Sequence, residues 1–252
     1  SNKVTVSSYK ASQAVSDFKY AVYQLNEAIK SKQKIGHLSA LFNSIGFKLV
    51  SDENYVYLID IVENQQRGLF VINKTPQTPL IITVPYPITE NLASDSAALI
   101  FQHLKSKALV FGATKTPQIT LAKENQQSPF YQAFINALEA QELLQVRESN
   151  RYTAALLKST PAEVKSQYWI FNRLPASISQ REMHEFIGSE ATYFGKATAS
   201  SLPSSSFKGS MLEVFLNGDN YTNILAYIYR ENYRYSNLKL NIINEEMVKI
   251  VE

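Results

Sequence analysis

Two acidic residues stand where a carboxylate can do chemistry. Glu90 follows the apolar run "PLIITV" (79–84) in the segment "PYPITEN", and Glu213 lies inside the apolar run "MLEVFL" (211–216). Paired carboxylates serve as general acid and base when their surroundings push their pKa values apart, or as oxygen ligands to a divalent ion. Groups suited to binding stand near them in the pattern: Tyr86 in the same segment, Thr114 and Lys115 in "GATK", and Arg147 and Arg151 in "RESNR". Arginine and lysine in such places hold the carboxylates of a peptide or glycan. Each of these residues follows or sits in an apolar run. A polar residue after a strand is ordinary, because loops lie on the surface; the coincidence of several is what marks one crevice.

Other chemistries fail on the residues. There is no cysteine, which removes disulfides, thiolate catalysis and thiolate-bound metals. His37, His103 and His184 stand far apart, with no HxxxH, HxH or HExxH spacing, so no metal site and no cofactor is expected. His103, in the last turn of a helix, stands where a positive charge is favoured. No GxSxG elbow, phosphate-binding glycine loop or helix-opening SxxK occurs. Net charge is +3 and the basic residues are scattered, so nucleic acid is not an expected partner. No stretch approaches the length of a membrane span. Ser1-Asn2 reads as a tag remnant, after removal of any leader or anchor. The abundance of Tyr, Asn, Gln and Ser leans toward a periplasmic or secreted bacterial protein.

The elements that must position these groups follow from periodicity. Ala14, Val15, Phe18, Val22, Leu25 and Ile29 recur at three- and four-residue spacing and predict a helix over 10–32. A short helix over 37–45 ends at Gly46, a left-handed cap. Strands are expected at 47–50, 55–62 and 68–72, the last two joined as a hairpin through "ENQQRG". "PLIITV" is apolar throughout, as a strand covered on both faces is. Helix 94–106 with Ser94 as its N-cap, strand 108–113, helix 129–141, strand 143–148, helix 178–187, strand 211–216 and helix 221–235 follow. "LKLNII" (238–243) reads as an edge strand, and "KATASSLPSSSFKGS" (196–210) as an exposed loop. Alternating strand and helix predicts an α/β class: a three-layer α/β/α domain over 47–252 with a mostly parallel central sheet. Residues 1–46 are an N-terminal helical segment packed on it. Ligands of such sheets bind beyond the carboxyl ends of the strands. There Tyr86, Glu90, Thr114, Lys115, Arg147 and Glu213 would meet.

The stretch "GLFVINKTPQTPLIITVPYPITENLASDSAALIFQHLKSKALVFGATK" resembles, in its order of features, the front half of the zinc-dependent carboxypeptidase-like and amidohydrolase-like α/β domains, including bacterial poly-γ-glutamate hydrolases. The resemblance spans roughly 65–220. It implies a histidine in the turn after the first strand, a second at a later strand end and a general-base glutamate on a late strand. Tyr86 and Arg147 stand at the first two positions, Glu90 offers the nearby acidic ligand, and Glu213 matches the late glutamate. Without both histidines the geometry that makes zinc a Lewis acid is lost. The expectation is a non-catalytic binding or scaffold protein of the bacterial envelope. Its partner would be an acidic peptide, cell-wall or polysaccharide ligand, or another protein. The alternative is an amidase or peptidase that uses Glu90 and Glu213 with an atypical metal site or none. A third role, binding through the tyrosines of "YTNILAYIYRENYRY", weighs against their packing in the core.

Overall fold

The computed structural model describes residues 2–62, 67–87, 90–112, 129–148, 168–171, 173–187, 193–194 and 207–232. Helix α1 (Asn2–Lys30) leads through a 3-10 turn (Gly36–Leu38) into α2 (Ser39–Ser44). Then come β1 (Phe47–Ser51), β2 (Tyr55–Asp60), β3 (Leu69–Asn73), β4 (Thr78–Val84), α3 (Asn91–His103), β5 (Ser106–Phe111), α4 (Pro129–Ala137) and β6 (Glu142–Glu148). They are followed by β7 (Tyr168–Phe171), α5 (Gln180–Ile187), β8 (Tyr193–Phe194), β9 (Ser210–Leu216) and α6 over residues 218–232.

The strands form one sheet in the order β1-β2-β3-β5-β4-β6-β9-β7-β8. Its centre, β5-β4-β6-β9, is parallel, as the alternation of strand and helix predicts. The flanks are antiparallel: β1, β2 and β3 form a meander laid against β5, and β7 runs opposite to β9. The "ENQQRG" segment does join a hairpin, since β2 and β3 pair directly.

Period-two alternation sends each central strand's side chains to two cores. From β4, Ile81 joins the core under α1 and α4, while Leu80, Ile82 and Val84 join the core under α3, α5 and α6. All four are fully buried, which is why "PLIITV" reads as apolar throughout. The stripe expected on α1 lies in the first core. Phe18 stands 4.6 Å from Phe47, 5.1 Å from Phe70 and 5.3 Å from Phe130, ring centre to ring centre. These aromatic contacts tie α1, β1, β3 and α4 into one packed unit. On the other face Tyr227 of α6 is buried against His103 and Phe186, whereas Tyr229 is exposed. The tyrosine helix therefore supplies both core and surface; Tyr233 and Tyr235 lie outside the described residues.

Chain order around β4 fixes where a ligand can approach. The connection β4–α3–β5 moves one way along the sheet, and β5–α4–β6 moves back across β4. Crossovers of one hand that run in opposite directions must lie on opposite faces, and α3 and α4 do. Strand order reverses at β4, so the crevice of the fold lies beyond the carboxyl ends of β4 and its neighbours.

Several boundaries differ from the sequence reading. Helix α3 starts at Asn91, three residues before Ser94, and α3 and α4 end earlier than expected, at His103 and Ala137. Each is followed by a non-glycine residue in the left-handed region, Lys105 (φ 45°) and Glu139 (φ 52°), so no glycine announces the stop. Gly46 does hold the expected left-handed turn, with φ 80°. Strand β7 was not anticipated; four residues are too few for a periodicity. The edge strand at 238–243 and most of the serine-rich loop lie outside the described residues.

At the carboxyl ends the chain approaches itself closely at Gly112, whose N–H donates to the Val84 carbonyl at 2.8 Å. A Cβ on Gly112 would run into the Pro85 carbonyl oxygen, part of the backbone that opens the β4–α3 loop. Gly112→Ala must push the ends of β4 and β5 apart and should lower unfolding free energy by about 2 kcal/mol. Urea denaturation of the variant and wild type measures it; a change within experimental error would show that the two ends move freely.

Candidate functional site at the strand ends

The β4–α3 loop is built by two prolines and a glutamate. Pro85 and Pro87 restrict the backbone around Tyr86. The Glu90 N–H donates to the Tyr86 carbonyl at 3.0 Å, and Glu90 takes the N-cap position of α3 (φ −127°, ψ 63°). Ser94, the expected cap, is instead one turn inside the helix, and its hydroxyl donates to the Pro87 carbonyl at 3.2 Å. The Glu90 side chain makes no cap bond to its own helix. That work passes to Glu148 at the end of β6, whose carboxylate accepts the Leu92 N–H at 3.1 Å. In return the Glu148 N–H donates to Glu90 Oε2 at 3.2 Å. The two glutamates clasp the loop to β6 reciprocally, and a negative charge sits at the positive end of α3.

Arg147 is the centre of the site. Its Nε lies 3.0 Å from both Glu90 oxygens, and its Nη2 is 2.9 Å from Glu90 Oε1. Its Nη1 points to Glu213 Oε1 at 3.4 Å. The guanidinium carbon stands 4.9 Å from the centre of the Tyr86 ring and 5.8 Å from that of Phe215. All three charged residues are buried; Glu90 is 3% exposed and Glu213 0%. Of the predicted residues, then, Tyr86, Glu90, Arg147 and Glu213 come together. Thr114, Lys115 and Arg151 lie outside the described residues. Arg147, expected to receive a ligand carboxylate, is engaged by two carboxylates of its own chain.

Sequence reasoning missed the layer beneath. Thr83, Gln145 and Glu213 are register neighbours on β4, β6 and β9, and all point to the α1/α4 face. Each is 0% exposed. Gln145 Nε2 donates to Glu213 Oε1 at 2.7 Å, the oxygen that Arg147 also reaches. Tyr131 of α4 closes the layer from above; it is fully buried, and its hydroxyl faces Thr83 without completing a hydrogen bond. Burial pushes the Tyr131 phenol well above its usual range, so it stays neutral. The signal was present: a threonine, a glutamine and a glutamate at mid-strand positions of otherwise apolar runs.

An open cavity of about 580 Å³ lies beside the loop. The ends of β2, β3 and β5 supply Ile59, Val62, Leu69 and Phe111, and the loop and α3 supply Pro87, Asn91 and Ser94. Gly68 and Gly112 form part of the lining and carry no side chain into it. Asp60 lines it too, but its carboxylate accepts Arg67 Nη2 at 2.6 Å and Arg67 Nε at 3.0 Å. None of Glu90, Arg147 and Glu213 lines this cavity.

The donors do not fit a metal ion. Neither strand-end position carries a histidine, both glutamates are held by a guanidinium, and no group of three or more His, Asp and Glu among the described residues could hold one. His103 lies elsewhere, on the α3 face, 3.8 Å from Glu182. Burial pushes its pKa below the ordinary 6.5, against the positive charge expected at a helix end.

Burial raises the Glu90 pKa above its ordinary value of 4.5; Arg147 and the Glu148 N–H pull it back only in part. A carboxyl raised on folding contributes stability that is complete below its unfolded pKa and is lost as pH rises through its folded pKa. Glu90→Gln removes this titration. The stability of the wild type minus that of Glu90→Gln should therefore fall as pH rises above 4.5, measured by urea melts across the acidic range. A difference that grows with pH would mean that Arg147 outweighs burial. No family model, curated protein or solved structure matches the chain, so the geometry carries the functional reading.

Proposed function

We propose that this chain is a binding protein and not a hydrolase, with its ligand seat at the carboxyl ends of the parallel strands. One observation carries the reading. The two carboxylates on which the hydrolase alternative rests, Glu90 and Glu213, are buried and share the Arg147 guanidinium, and neither lines the open cavity beside the loop. A general acid or base must reach the proton it transfers. Neither carboxylate lines the open cavity found among the described residues.

The resemblance to zinc-dependent carboxypeptidase-like domains fits this reading. Tyr86 and Arg147 occupy the positions where that group implies histidines, and here they stack on one another. A fixed cation of the chain lies between Glu90 and Glu213, the residues that match the acidic ligand and the general base. An arginine there supplies positive charge but no open coordination position for water or a carbonyl oxygen. Recognition of an acidic peptide or glycan would fall to Lys115 and Arg151, since Arg147 is engaged. The envelope setting rests on composition alone. No helix among the described residues is long and apolar enough to cross a membrane.

The test is turnover. Purified protein, with and without added zinc, should show no hydrolysis of peptide, amide or glycoside model substrates above buffer. Hydrolysis that disappears in Glu213→Gln, with the fold retained by circular dichroism, would overturn the binding reading.

A further inference from the structure

The chemistry of the cavity wall goes further than the binding reading on which it rests, and narrows the ligand class. Ile59, Val62, Leu69, Pro87 and Phe111 give it a largely apolar wall. What decides the class is the state of the charges around it. Among the described residues of the wall, Asp60 is the only ionisable one. Its Oδ1 accepts the Val62 N–H at 3.1 Å and two Arg67 donors, and its Oδ2 accepts the Arg67 N–H at 2.6 Å. Arg67 in turn donates to the Ile45 carbonyl at 2.8 Å and the Gly46 carbonyl at 2.7 Å, and its guanidinium lies over Phe47 and Phe130. The pair is buried, 8% exposed on each side, and satisfied within the fold.

The amino end of α3, which would attract an anion, faces the same space through Asn91 and Ser94. Glu148 already caps it at Leu92. Among the described residues of the wall, an anion would meet only the Asp60 carboxylate, and a cation would find that carboxylate already bonded. A charged ligand would lose its hydration without gaining a counter-ion from the described residues. An uncharged one loses little, and its apolar body gains the wall, of which Asn91 is a polar member.

We propose that the strand-end cavity bounded by Ile59, Leu69, Phe111 and α3 binds an uncharged, mainly apolar small molecule. The cavity size falls within the range of small-molecule sites. The acidic ligand expected from the basic residues finds no free counter-ion among the described residues of this wall.

The experiment uses two fluorescent probes with one skeleton, N-phenyl-1-naphthylamine, which is neutral, and 1-anilinonaphthalene-8-sulfonate, which carries a sulfonate. Each is titrated into the whole chain and into Ile59→Trp. Ile59 is a half-exposed strand residue, 40% exposed, where a tryptophan fills the cavity and suits the strand. The neutral probe should saturate at one equivalent and bind about tenfold or more tighter than the sulfonate. Ile59→Trp should abolish its binding while the melting temperature holds. Sulfonate binding as tight as the neutral probe's, and equally lost in Ile59→Trp, would overturn the charge inference and leave the binding site standing. Neutral-probe binding that Ile59→Trp leaves unchanged would place the ligand elsewhere and overturn the site. No saturable binding of either probe would overturn the cavity proposal, while the binding-protein reading stands or falls by the turnover test.

Discussion

The strand ends of this protein depend on one guanidinium shared by two buried carboxylates. Arg147 projects from β6, Glu90 from the N-cap of α3 and Glu213 from β9, so a single cation ties together three separate segments. Taking these charges out of water is expensive, and their attraction repays that only where the geometry is good. Here it is: Glu90 meets Arg147 with both oxygens, accepts the Glu148 N–H as well, and lies beside a carbonyl-fixed turn. Such a cluster is a poor source of net stability but a strong penalty on alternatives. A one-residue slip of β6 would turn Arg147 toward the α3 face and leave both carboxylates buried without it. We read the triad as the device that sets the register of β6 between β4 and β9 and aims the β4–α3 loop.

That aim has a consequence for function. The carboxyl edge of the sheet holds the Arg147 cluster, its charges already paired, and, lined by other residues, an open and largely apolar cavity. Catalysis needs charge and space in the same place. Their separation is the physical reason to prefer binding over hydrolysis. The Arg67–Asp60 pair extends the pattern: a second buried charge pair, set against Phe47 and Phe130, holds the end of β2 and the start of β3 at the cavity wall with the Asp60 carboxylate already bonded. In both places an arginine fork makes several fixed bonds, which a lysine could not reproduce.

Much of the fold was legible in the sequence, because burial writes periodicity. The α1 stripe, the unbroken apolar run of β4 and the alternation after it each follow from which faces are covered. Helix ends were less legible. Lys105 and Glu139 end their helices in a conformation that glycine usually marks, and neither residue type signals a stop. The start of α3 was misplaced for a related reason. Ser94 is a good cap by type, but Glu90 takes the position, and the hydrogen bond to the Leu92 N–H is made by Glu148, 56 residues beyond Leu92. Of the site, the sequence showed the members and not their relations. Tyr86, Glu90, Arg147 and Glu213 were identifiable as polar groups at strand ends, yet only the register of β6 and β9 reveals that Arg147 binds Glu90 and not a ligand. Thr83 and Gln145 looked like interruptions of apolar strands; cross-strand pairing turns them, with Glu213, into a buried layer.

The most direct test of the shared-cation account is a double-mutant cycle between Glu90→Gln and Arg147→Met, read by urea unfolding at neutral pH. Arg147→Met leaves two carboxylates buried without their cation and should cost about 3–5 kcal/mol. If the guanidinium organises the site, adding Glu90→Gln to Arg147→Met should recover part of that loss, with a coupling energy of about 2 kcal/mol or more. Two effects that simply add, within about 0.5 kcal/mol, would contradict the account. They would mean that Glu90 and Arg147 are held in place independently and that the strand ends owe their arrangement to something else.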